Sequence, residues 1–550
     1  MPSSAEISAD RTRDLSLLMT EWPSVTGSLD EAAFSQRLVD LLATTPYFAS
    51  HPQQLITVDS HGEPMTKNVL ALVRGKGRKC IVLAGHFDTV SIANYGTLAP
   101  LACQPGALLK ALVQELSSRP LNAVEQRTLD DLNSGDFLPG RGLLDMKSGL
   151  AAGVAVLERF AALDERIGNI LLVATPDEEN RSRGMRSVRN ALPRIAKEWD
   201  LDIIGGINLD ASGCDKDGEE GRAVYLGSVG KFAPFAFVIG RPTHAGYPFN
   251  GTSAHLIASE IILKMDTNPA LSDEAHGEHS PPPVCLEAKD LRSGYEVTTP
   301  SRVWLSFNWL THRRSAATLL DDFRTIVTDA LNTALARQSR NAEDAAARGQ
   351  MAGASAMDGA VLTYADLHDL AFARSGQSAL DRIRALDESL KTADDPLAVT
   401  RELVNALMTE AKLEGPAVVI GFSSLHYPLV HLDQAGDAGA AFQRTMETVM
   451  HRISERHQTG IKFKQIFAGI SDMSFFGHSP DAQDAGLLSA NTPSAAFADK
   501  PPEGLLSYPV VNIGPWGRDY HQKWERVHTP YTFGVLPDFV FEAAVACLED

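Results

Sequence analysis

The sequence lacks long apolar runs, paired cysteines and an apolar leader. No stretch reaches about 18 consecutive apolar residues, the length that a membrane-spanning helix requires, so we expect no membrane partner. The five cysteines lie far apart and none forms a Cys-x-x-Cys pair, which predicts no disulfide framework and favours a reducing compartment. Residues 1–14 are polar, without the apolar segment of a signal peptide. Together these absences predict a cytoplasmic protein.

Positive charge is scarce as well. The chain has 50 Lys and Arg against 69 Asp and Glu, a formal net charge of −19. Nucleic acid and anionic membranes bind clustered basic residues, so we expect no nucleic acid as a partner either. The length of 550 residues is enough for roughly two to four domains.

Short apolar runs alternate with predicted helices in the first part of the chain. The runs at 80–84, 170–173 and 203–209 suit strands that are buried on both faces, and helices are predicted at 147–162 and 187–199. Strands that alternate with helices predict the α/β class with a mostly parallel sheet, which binds ligands at the carboxyl ends of its strands.

The pattern changes near residue 228 and returns near residue 433. We therefore expect a main domain whose first part is 1–227 and whose second part is 433–550. Between them, 228–432 reads as an inserted α+β domain, with extra helices in the Ala-rich stretch at about 338–415.

Histidines and acidic residues follow several of the buried strands. Residues i and i+2 of an extended chain face the same side, so Asp88 could fix the tautomer of His86 while the other ring nitrogen binds a metal. Such a pair alone is more often structural. Asp145, in the segment Gly-Arg-Gly-Leu-Leu-Asp-Met-Lys, either caps a helix or bridges two metal ions.

A second group of acids strengthens the case for metal. Glu178 and Glu179 belong to a Pro-Asp-Glu-Glu segment after a strand, which is either an acidic surface turn or a metal ligand beside a proton acceptor. Asp210 ends a further strand, and His521 ends a Gly-Pro-Trp-Gly-Arg-Asp-Tyr-His segment. Burying so many carboxylates without cations is costly. Histidines with carboxylates suit Zn²⁺, with Mn²⁺ or Co²⁺ as alternatives.

This set of motifs resembles the di-zinc aminoacylase/carboxypeptidase superfamily, which contains glutamate carboxypeptidase, acetylornithine deacetylase and succinyl-diaminopimelate desuccinylase. The segments Gly-His-Phe-Asp-Thr-Val, Gly-Arg-Gly-Leu-Leu-Asp-Met-Lys, Pro-Asp-Glu-Glu and Pro-Thr-His-Ala-Gly occur in the family's order. The resemblance covers about 60–225 and 460–530 and the start of the insertion, and is strongest to the arginine-utilisation (RocB-type) branch. The segment 91–139 and the stretch 338–415 depart from the family pattern.

The resemblance implies two zinc ions and a ligand set for them. His86 and Asp210 would bind the first ion, Glu179 and His521 the second, and Asp145 would bridge both. The position of the last ligand leaves an alternative.

That alternative is His528, which lies close behind His521. We prefer His521 because Glu525 follows it, as in the family's His-x-x-x-Glu ending. The resemblance also implies that Glu178 is the general base and that Asp88 orients its histidine.

The insertion resembles the family's lid and dimerisation domain, which implies a homodimer. His244 matches a lid histidine that in dimeric relatives reaches the neighbouring active site and donates to the oxyanion; otherwise it is a turn histidine. Arg313 or its neighbour Arg314 could bind a substrate carboxylate, or be solvated. Ser471 could hydrogen-bond the ligand, or cap a turn.

The function that the resemblance implies is hydrolysis of a linear amide bond by a metal-activated water. The substrate would be an N-acyl amino acid or a small peptide, and the branch favours an amino acid related to arginine or ornithine. Two alternatives stay open: a catalytically silent homologue that binds a metabolite or partner, and an amidinohydrolase of arginine breakdown that releases urea or ammonia. Competent residues at every matched position argue against the silent homologue.

Overall fold

The computed structural model describes residues 4–213, 221–350, 358–393 and 395–549. Cys214, one of the five cysteines, lies outside the described residues. The chain folds into two compact units. Unit 1 comprises Met1–Ser228, Val430–Ser479 and Pro502–Asp550, and unit 2 comprises Val229–Leu429 and Pro480–Pro501.

The helices and strands are numbered in chain order. The α-helices are α1 (Ser4–Thr20), α2 (Leu29–Ala43), α3 (Pro46–Ser50), α4 (Pro105–Ser117), α5 (Ala123–Ser134), α6 (Ser148–Ala161), α7 (Arg183–Glu198), α8 (Ala254–Met265), α9 (Ala316–Ala347), α10 (Tyr364–Ser375), α11 (Gln377–Leu390), α12 (Pro396–Glu410), α13 (Gly436–His457), α14 (Ala482–Asn491) and α15 (Leu536–Glu549). The strands are β1 (Leu55–His61), β2 (Thr66–Arg74), β3 (Lys76–His86), β4 (Phe137–Pro139), β5 (Ile167–Thr175), β6 (Asp202–Asn208), β7 (Ser212–Gly213), β8 (Ala223–Tyr225), β9 (Gly227–Ser228), β10 (Gly230–Phe232), β11 (Pro234–Ile239), β12 (Glu274–Ala275), β13 (Glu278–His279), β14 (Val284–Asp290), β15 (Arg302–Thr311), β16 (Ala360–Thr363), β17 (Ala417–Phe422), β18 (Val430–His431), β19 (Lys462–Lys464), β20 (Val510–Asn512), β21 (Trp516–Arg518) and β22 (Arg526–His528).

Unit 1 is built on an eight-stranded sheet. Its strand order is β1-β2-β5-β3-β6-β20-β8-β19, and the pairs β5–β3, β3–β6 and β6–β20 are parallel. The α/β class with a mostly parallel sheet at its centre is therefore confirmed. Because β5, β3, β6 and β20 run in one direction, their carboxyl ends meet at one edge, and this edge carries the candidate site.

The core of unit 1 explains why these segments fold as they do. Ile81 and Leu83 of β3 are fully buried beneath α6, in one apolar cluster with α15. Small residues let α6 approach the sheet closely: a Cβ on Gly149 would lie 2.1 Å from the carbonyl oxygen of Leu209. Among the described residues, one segment, Pro530–Glu549, is long and apolar enough to cross a membrane, but 78% of its apolar 18-residue window is buried inside the protein, as in a core helix.

Unit 2 has its own sheet and core. The strand order is β10-β15-β11-β17-β16, with β14 paired to β15. Ala236 and Val238 of β11 pack with α8 and α9, whereas Phe235 and Phe237 pack with α10 to α12 on the opposite face. Alternate residues of a strand face opposite sides, so this strand is buried on both faces.

Two segments differ in detail from the sequence interpretation. The stretch 338–415, expected to be helical, also contains β16, which pairs in parallel with β17. Residues 433–550 were assigned to the main domain as a whole, but Pro480–Pro501 belongs to unit 2. The reason is apolar packing, because Leu487 and Leu488 of α14 lie against the core that α9 covers.

Candidate metal centre

The candidate site lies in unit 1 at the carboxyl ends of parallel strands. His86 is the last residue of β3, Glu178 and Glu179 follow β5, and Asp210 follows β6. In the register of the sheet, His86 pairs with Thr175, and Ala84 of the same strand pairs with Asn208. This register brings together side chains that are far apart in the sequence.

Asp145 lies between two histidines. Its Oδ1 is 3.2 Å from Nε2 of His86, and its Oδ2 is 3.1 Å from Nε2 of His521. The residue belongs to the turn Leu143–Lys147 that leads into α6, and its side chain does not cap that helix. A carboxylate with one oxygen towards each imidazole has the arrangement of a ligand shared by two metal ions.

Two sets of possible ligands share this carboxylate. His86, Asp145 and Asp210 form the first set, and Asp145, Glu179 and His521 form the second; within each set the ligand atoms lie within 4.8 Å of one another. In the first set, Nε2 of His86 is 3.8 Å from Oδ1 of Asp210. In the second, Nε2 of His521 is 3.1 Å from Oε2 of Glu179.

Glu178 lies beside the first set without being part of it. Its Oε2 is 3.8 Å from Nε2 of His86, and the residue is 8% exposed. Its backbone N–H donates to Oδ1 of Asp88 at 3.1 Å. This bond fixes the backbone of Glu178, whose carboxylate lies beside His86.

The charges of the site test whether metal ions fit it. Asp145, Glu178 and Asp210 are all buried, and they cluster around a buried histidine. Burial raises the pKa of the Glu178 carboxyl well above its usual range, and repulsion from Asp210 and Glu179 adds to this. Cations would stabilise the ionised form of buried acids in this number. Nitrogen and oxygen ligands in two sets fit two divalent ions of the zinc type.

The two histidines respond to the same charges. Burial opposes protonation of His86, but hydrogen bonds to Asp145 and Asp210 raise its pKa well above the usual value. Burial likewise opposes protonation of His521, and hydrogen bonds to Asp145 and Glu179 raise its pKa to about 10. A metal ion at this site would compete with protons for both imidazoles.

Asp88 joins the two strand ends. Nδ1 of His86 bonds the backbone oxygen of Asp88 at 3.1 Å and lies 3.5 Å from its carboxylate. That carboxylate also accepts from the N–H groups of Glu178 and Glu179 and from the hydroxyl of Thr26. The geometry agrees with an orienting role, and it adds a second one in shaping the acidic turn.

Asp177, the first acid of that turn, points elsewhere. Its carboxylate pairs with the guanidinium of Arg183 at 2.6 and 2.7 Å, and its backbone N–H donates to Glu31. Its φ of 66° is in the left-handed region. The turn therefore separates one structural acid from the two acids, Glu178 and Glu179, that face the candidate metal sites.

Ser471 contacts a candidate ligand directly. Its hydroxyl donates to Oδ2 of Asp210 at 2.8 Å and accepts from the side chain of Asn208 at 3.1 Å. It also accepts from the N–H of Met473. The neighbouring Asp472 accepts from the hydroxyl of Thr175, and burial raises its pKa to about 7. Sequence reasoning overlooked Asp472, although it follows Ser471 directly.

The two competing histidines lie in different environments. His521 contacts Asp145 and Glu179. His528 packs against the rings of Phe137 and Trp516, with centroids 5.1 and 4.7 Å away. Its Nδ1 accepts from the N–H of Tyr531, and burial lowers its pKa to about 4.

Two of the expected site residues lie in unit 2. His244 is exposed, and its Nδ1 accepts from the N–H of Gly246 at 3.0 Å. Arg313 is exposed too, and its backbone N–H donates to Asp273. The adjacent Arg314 is engaged, because its guanidinium bonds Asp322 and the carbonyl of Leu271.

A buried ion pair behind His521 was not assigned from the sequence. Arg141 and Glu525 are 1% and 0% exposed and form a short salt bridge. Glu525 also accepts from the N–H of Gly142 at 3.0 Å. The sequence did contain a signal for this pair. Arg141 lies between two glycines, and Glu525 was used only to identify His521.

The sequence of this chain is similar to those of known proteins. The sequence model of "Peptidase family M20/M25/M40" matches residues 125–488. The Bacillus subtilis protein YqjN is 32% identical over 529 residues, which cover 95% of this chain and 93% of YqjN. Protein RocB of Bacillus subtilis is 27% identical over 98% of this chain and 95% of RocB. Succinyl-diaminopimelate desuccinylase 1 of Alteromonas mediterranea is 27% identical over 41% of this chain and 56% of that enzyme.

Solved structures show the same fold at low sequence identity. A tripeptidase from Staphylococcus aureus aligns with a TM-score of 0.52 at 14% identity, over 98% of this chain and 99% of that one. The aminopeptidase PepT from Bacillus cereus aligns with a TM-score of 0.51 at 12% identity, over 98% and 99% of the two chains.

Proposed function

We propose, since this chain belongs to peptidase family M20/M25/M40, that it is a metal-dependent hydrolase that cleaves a linear amide bond of an N-acyl amino acid or a small peptide. The observation that carries this proposal is the position of Asp145, with one oxygen near His86 and the other near His521. It supports a centre that binds two ions.

The proposed ligands are the two sets described above. His86 and Asp210 would hold one ion, Glu179 and His521 the other, and Asp145 both. Bound Zn²⁺ would lower the pKa of a water and polarise the substrate carbonyl; Mn²⁺ or Co²⁺ could supply the same chemistry.

Glu178 is the proposed general base. Its carboxylate lies beside the shared centre and takes the proton of the attacking water, and it then returns that proton to the departing amine nitrogen. Asp88 supports this by fixing both the turn that carries Glu178 and the ring of His86.

The remaining assignments concern the substrate and the assembly. We assign His244 to the oxyanion of a neighbouring subunit in a homodimer formed through unit 2, and Arg313 to a substrate carboxylate. The exposure of both side chains supports these assignments. We also assign Ser471 to the substrate, while its contacts support a role through Asp210. A cytoplasmic location belongs to the same proposal.

The finer substrate class is an N-acyl amino acid related to arginine or ornithine. Its support is the arginine-utilisation resemblance of the sequence and the likeness to Protein RocB along nearly the whole chain.

The test combines metal content with turnover. We expect about two equivalents of transition metal per chain by elemental analysis, and release of a carboxylic acid and an amine from at least one member of an N-acyl amino acid and dipeptide panel. Glu178→Gln should keep both metals and lose at least about 100-fold in kcat, because proton transfer by a positioned group contributes that much. Asp145→Ala should lose metal from both sets.

The controls separate the alternatives. Wild-type activity in Glu178→Gln would exclude this residue as the base. Urea or ammonia as the product would favour the amidinohydrolase. Metal without any hydrolysis across the panel would favour a binding protein.

A further inference from the structure

The segment 91–139 lies against the part of the chain that carries His521. We name this segment the insert and Gly514–His528 the His521 loop. The insert forms α4, α5 and β4, and its core consists of apolar side chains of both helices, Leu108, Leu112 and Leu132 among them. Trp524 of the His521 loop packs against that core.

Charged contacts connect the insert to the His521 loop along its length. Asp131 of α5 pairs with Arg518 at 2.7 Å and with Arg526 at 2.6 Å, and both arginines are buried. Glu115 of α4 pairs with Lys523 at 2.5 Å. These ion pairs connect the insert to the His521 loop on both sides of His521.

The backbone oxygen of His521 is held by Asn94 of the insert and by Arg141, which follows the insert in the chain. Nδ2 of Asn94 donates to the backbone oxygen of His521 at 2.9 Å, and the guanidinium of Arg141 donates to the same oxygen at 3.3 Å. Oδ1 of Asn94 accepts from that guanidinium at 3.1 Å. Tyr95, next in the insert, lies under the guanidinium with its ring centroid 5.2 Å away.

The backbone of His521 needs such support. Its φ is 65°, in the left-handed region that side-chain-bearing residues rarely adopt, and Asp519 in the same loop has a φ of 54°. Such a conformation persists only where surrounding contacts determine it. The backbone conformation of His521 decides where its ring lies, 3.1 Å from both Asp145 and Glu179.

We propose that the insert is the positioning element for the second metal set, with Asn94 as the positioning residue that acts through the backbone of His521. This inference rests on the proposed function, because it assumes that Glu179 and His521 hold an ion. It gives the insert a role that the motifs of the sequence do not assign.

The test measures the affinities of the two ions separately. Zn²⁺ is titrated into metal-free protein in competition with a chromophoric chelator, and Co²⁺ is titrated in parallel for its absorption spectrum. In Asn94→Ala, the ion of the second metal set should bind about tenfold less tightly than in the wild type. Outer groups around metal ligands contribute about 10–100-fold to affinity. The other ion should bind as in the wild type.

Asn94→Asp makes the test sharper. It keeps an acceptor for Arg141 but removes the donor to the oxygen of His521. It should therefore lower the affinity for the same ion. Asn133→Ala is the matched control, because Asn133 is exposed on α5 and, among the described residues, makes no hydrogen bond to the His521 loop. It should bind both ions normally, and all three variants should keep the wild-type circular dichroism spectrum.

Three outcomes would overturn the proposal in distinguishable ways. Wild-type affinity for both ions in Asn94→Ala and Asn94→Asp would contradict the positioning role alone. An equal loss of affinity for both ions would indicate that the fold as a whole is loosened and that Asn94 does not position His521 specifically. If the wild type itself bound no metal, the proposed function would fail, and this inference with it.

Discussion

Asp145 shows what a single residue can reveal from sequence and what it cannot. Its motif left two roles open, a helix cap or a bridge between metals. The two roles differ in where the carboxylate points, which depends on a histidine that enters from the far end of the chain. In the structure the side chain caps nothing and contacts two imidazoles. Local sequence therefore indicated the residue, while its geometry required the tertiary fold.

Separate substitutions of His521 and His528 should show which of the two histidines binds metal. His521→Gln should lose about one equivalent of metal, because His521 is the one histidine of the set formed with Asp145 and Glu179. His528→Gln should keep both equivalents. Elemental analysis of the two variants, purified side by side, measures this. Loss of metal from His528→Gln alone would reverse our assignment.

The lowered pKa of His528 predicts that the protein loses stability in acid. Burial lowers its pKa from 6.5 to about 4, so the folded state binds its proton less readily than the unfolded state does. Its contribution is thus fully present above pH 6.5 and is lost as the pH falls from 6.5 towards about 4. His528→Gln should flatten this part of the curve of unfolding free energy against pH. Parallel curves for both proteins would contradict this prediction.

At the scale of elements, α6 depends on how closely it can approach the sheet. Gly149→Ala should cost about 1–3 kcal/mol of unfolding free energy, because its Cβ would lie 2.1 Å from the backbone oxygen of Leu209, which cannot move alone. Gly153→Ala, one turn later, meets only the ends of Leu172 and Leu209 at 2.8 Å and should cost less. Urea denaturation measures both. An equal loss of unfolding free energy in the two variants would mean that the backbone at Leu209 shifts as easily as the leucine side chains do.

Elements with strong apolar periodicity were predictable, and others were not. The apolar runs indicated β3, β5 and β6 because the buried parts of these strands are mostly apolar. The strand β16 was missed, since a short parallel edge strand leaves little pattern in an Ala-rich segment. The two helices of the insert pack their apolar faces mainly on each other and on Trp524.

At the scale of the whole molecule, the proposed homodimer can be tested by mixing subunits. Glu178→Ala and His244→Ala should each be inactive or nearly so alone. If His244 acts in the neighbouring subunit, a mixture that has exchanged subunits should regain about a quarter of wild-type activity, since half of the randomly paired two-fold dimers carry one intact site. Mixing Glu178→Ala with Glu178→Gln is the control and should stay inactive. No recovery after verified exchange would place His244 outside a neighbouring site.

The division of the chain could be read only in outline from the sequence. A change of pattern marked the start of the second unit near residue 228, where apolar runs between helices give way to longer extended segments. The return of Pro480–Pro501 to unit 2 left no such mark. A ten-residue helix such as α14 joins a core through a few leucines, and the sequence does not say which core they meet.

The position of β20 in the sheet has a consequence for folding during synthesis on the ribosome. This strand lies between β6 and β8, yet it is made some 300 residues after β6, a delay of about 15–60 s at usual rates of synthesis. Throughout that interval β6 presents an unpaired edge, the kind of surface on which unfinished chains associate. Nascent chains that stall before Val510 should therefore depend on chaperones, whereas chains released after it can close the sheet themselves.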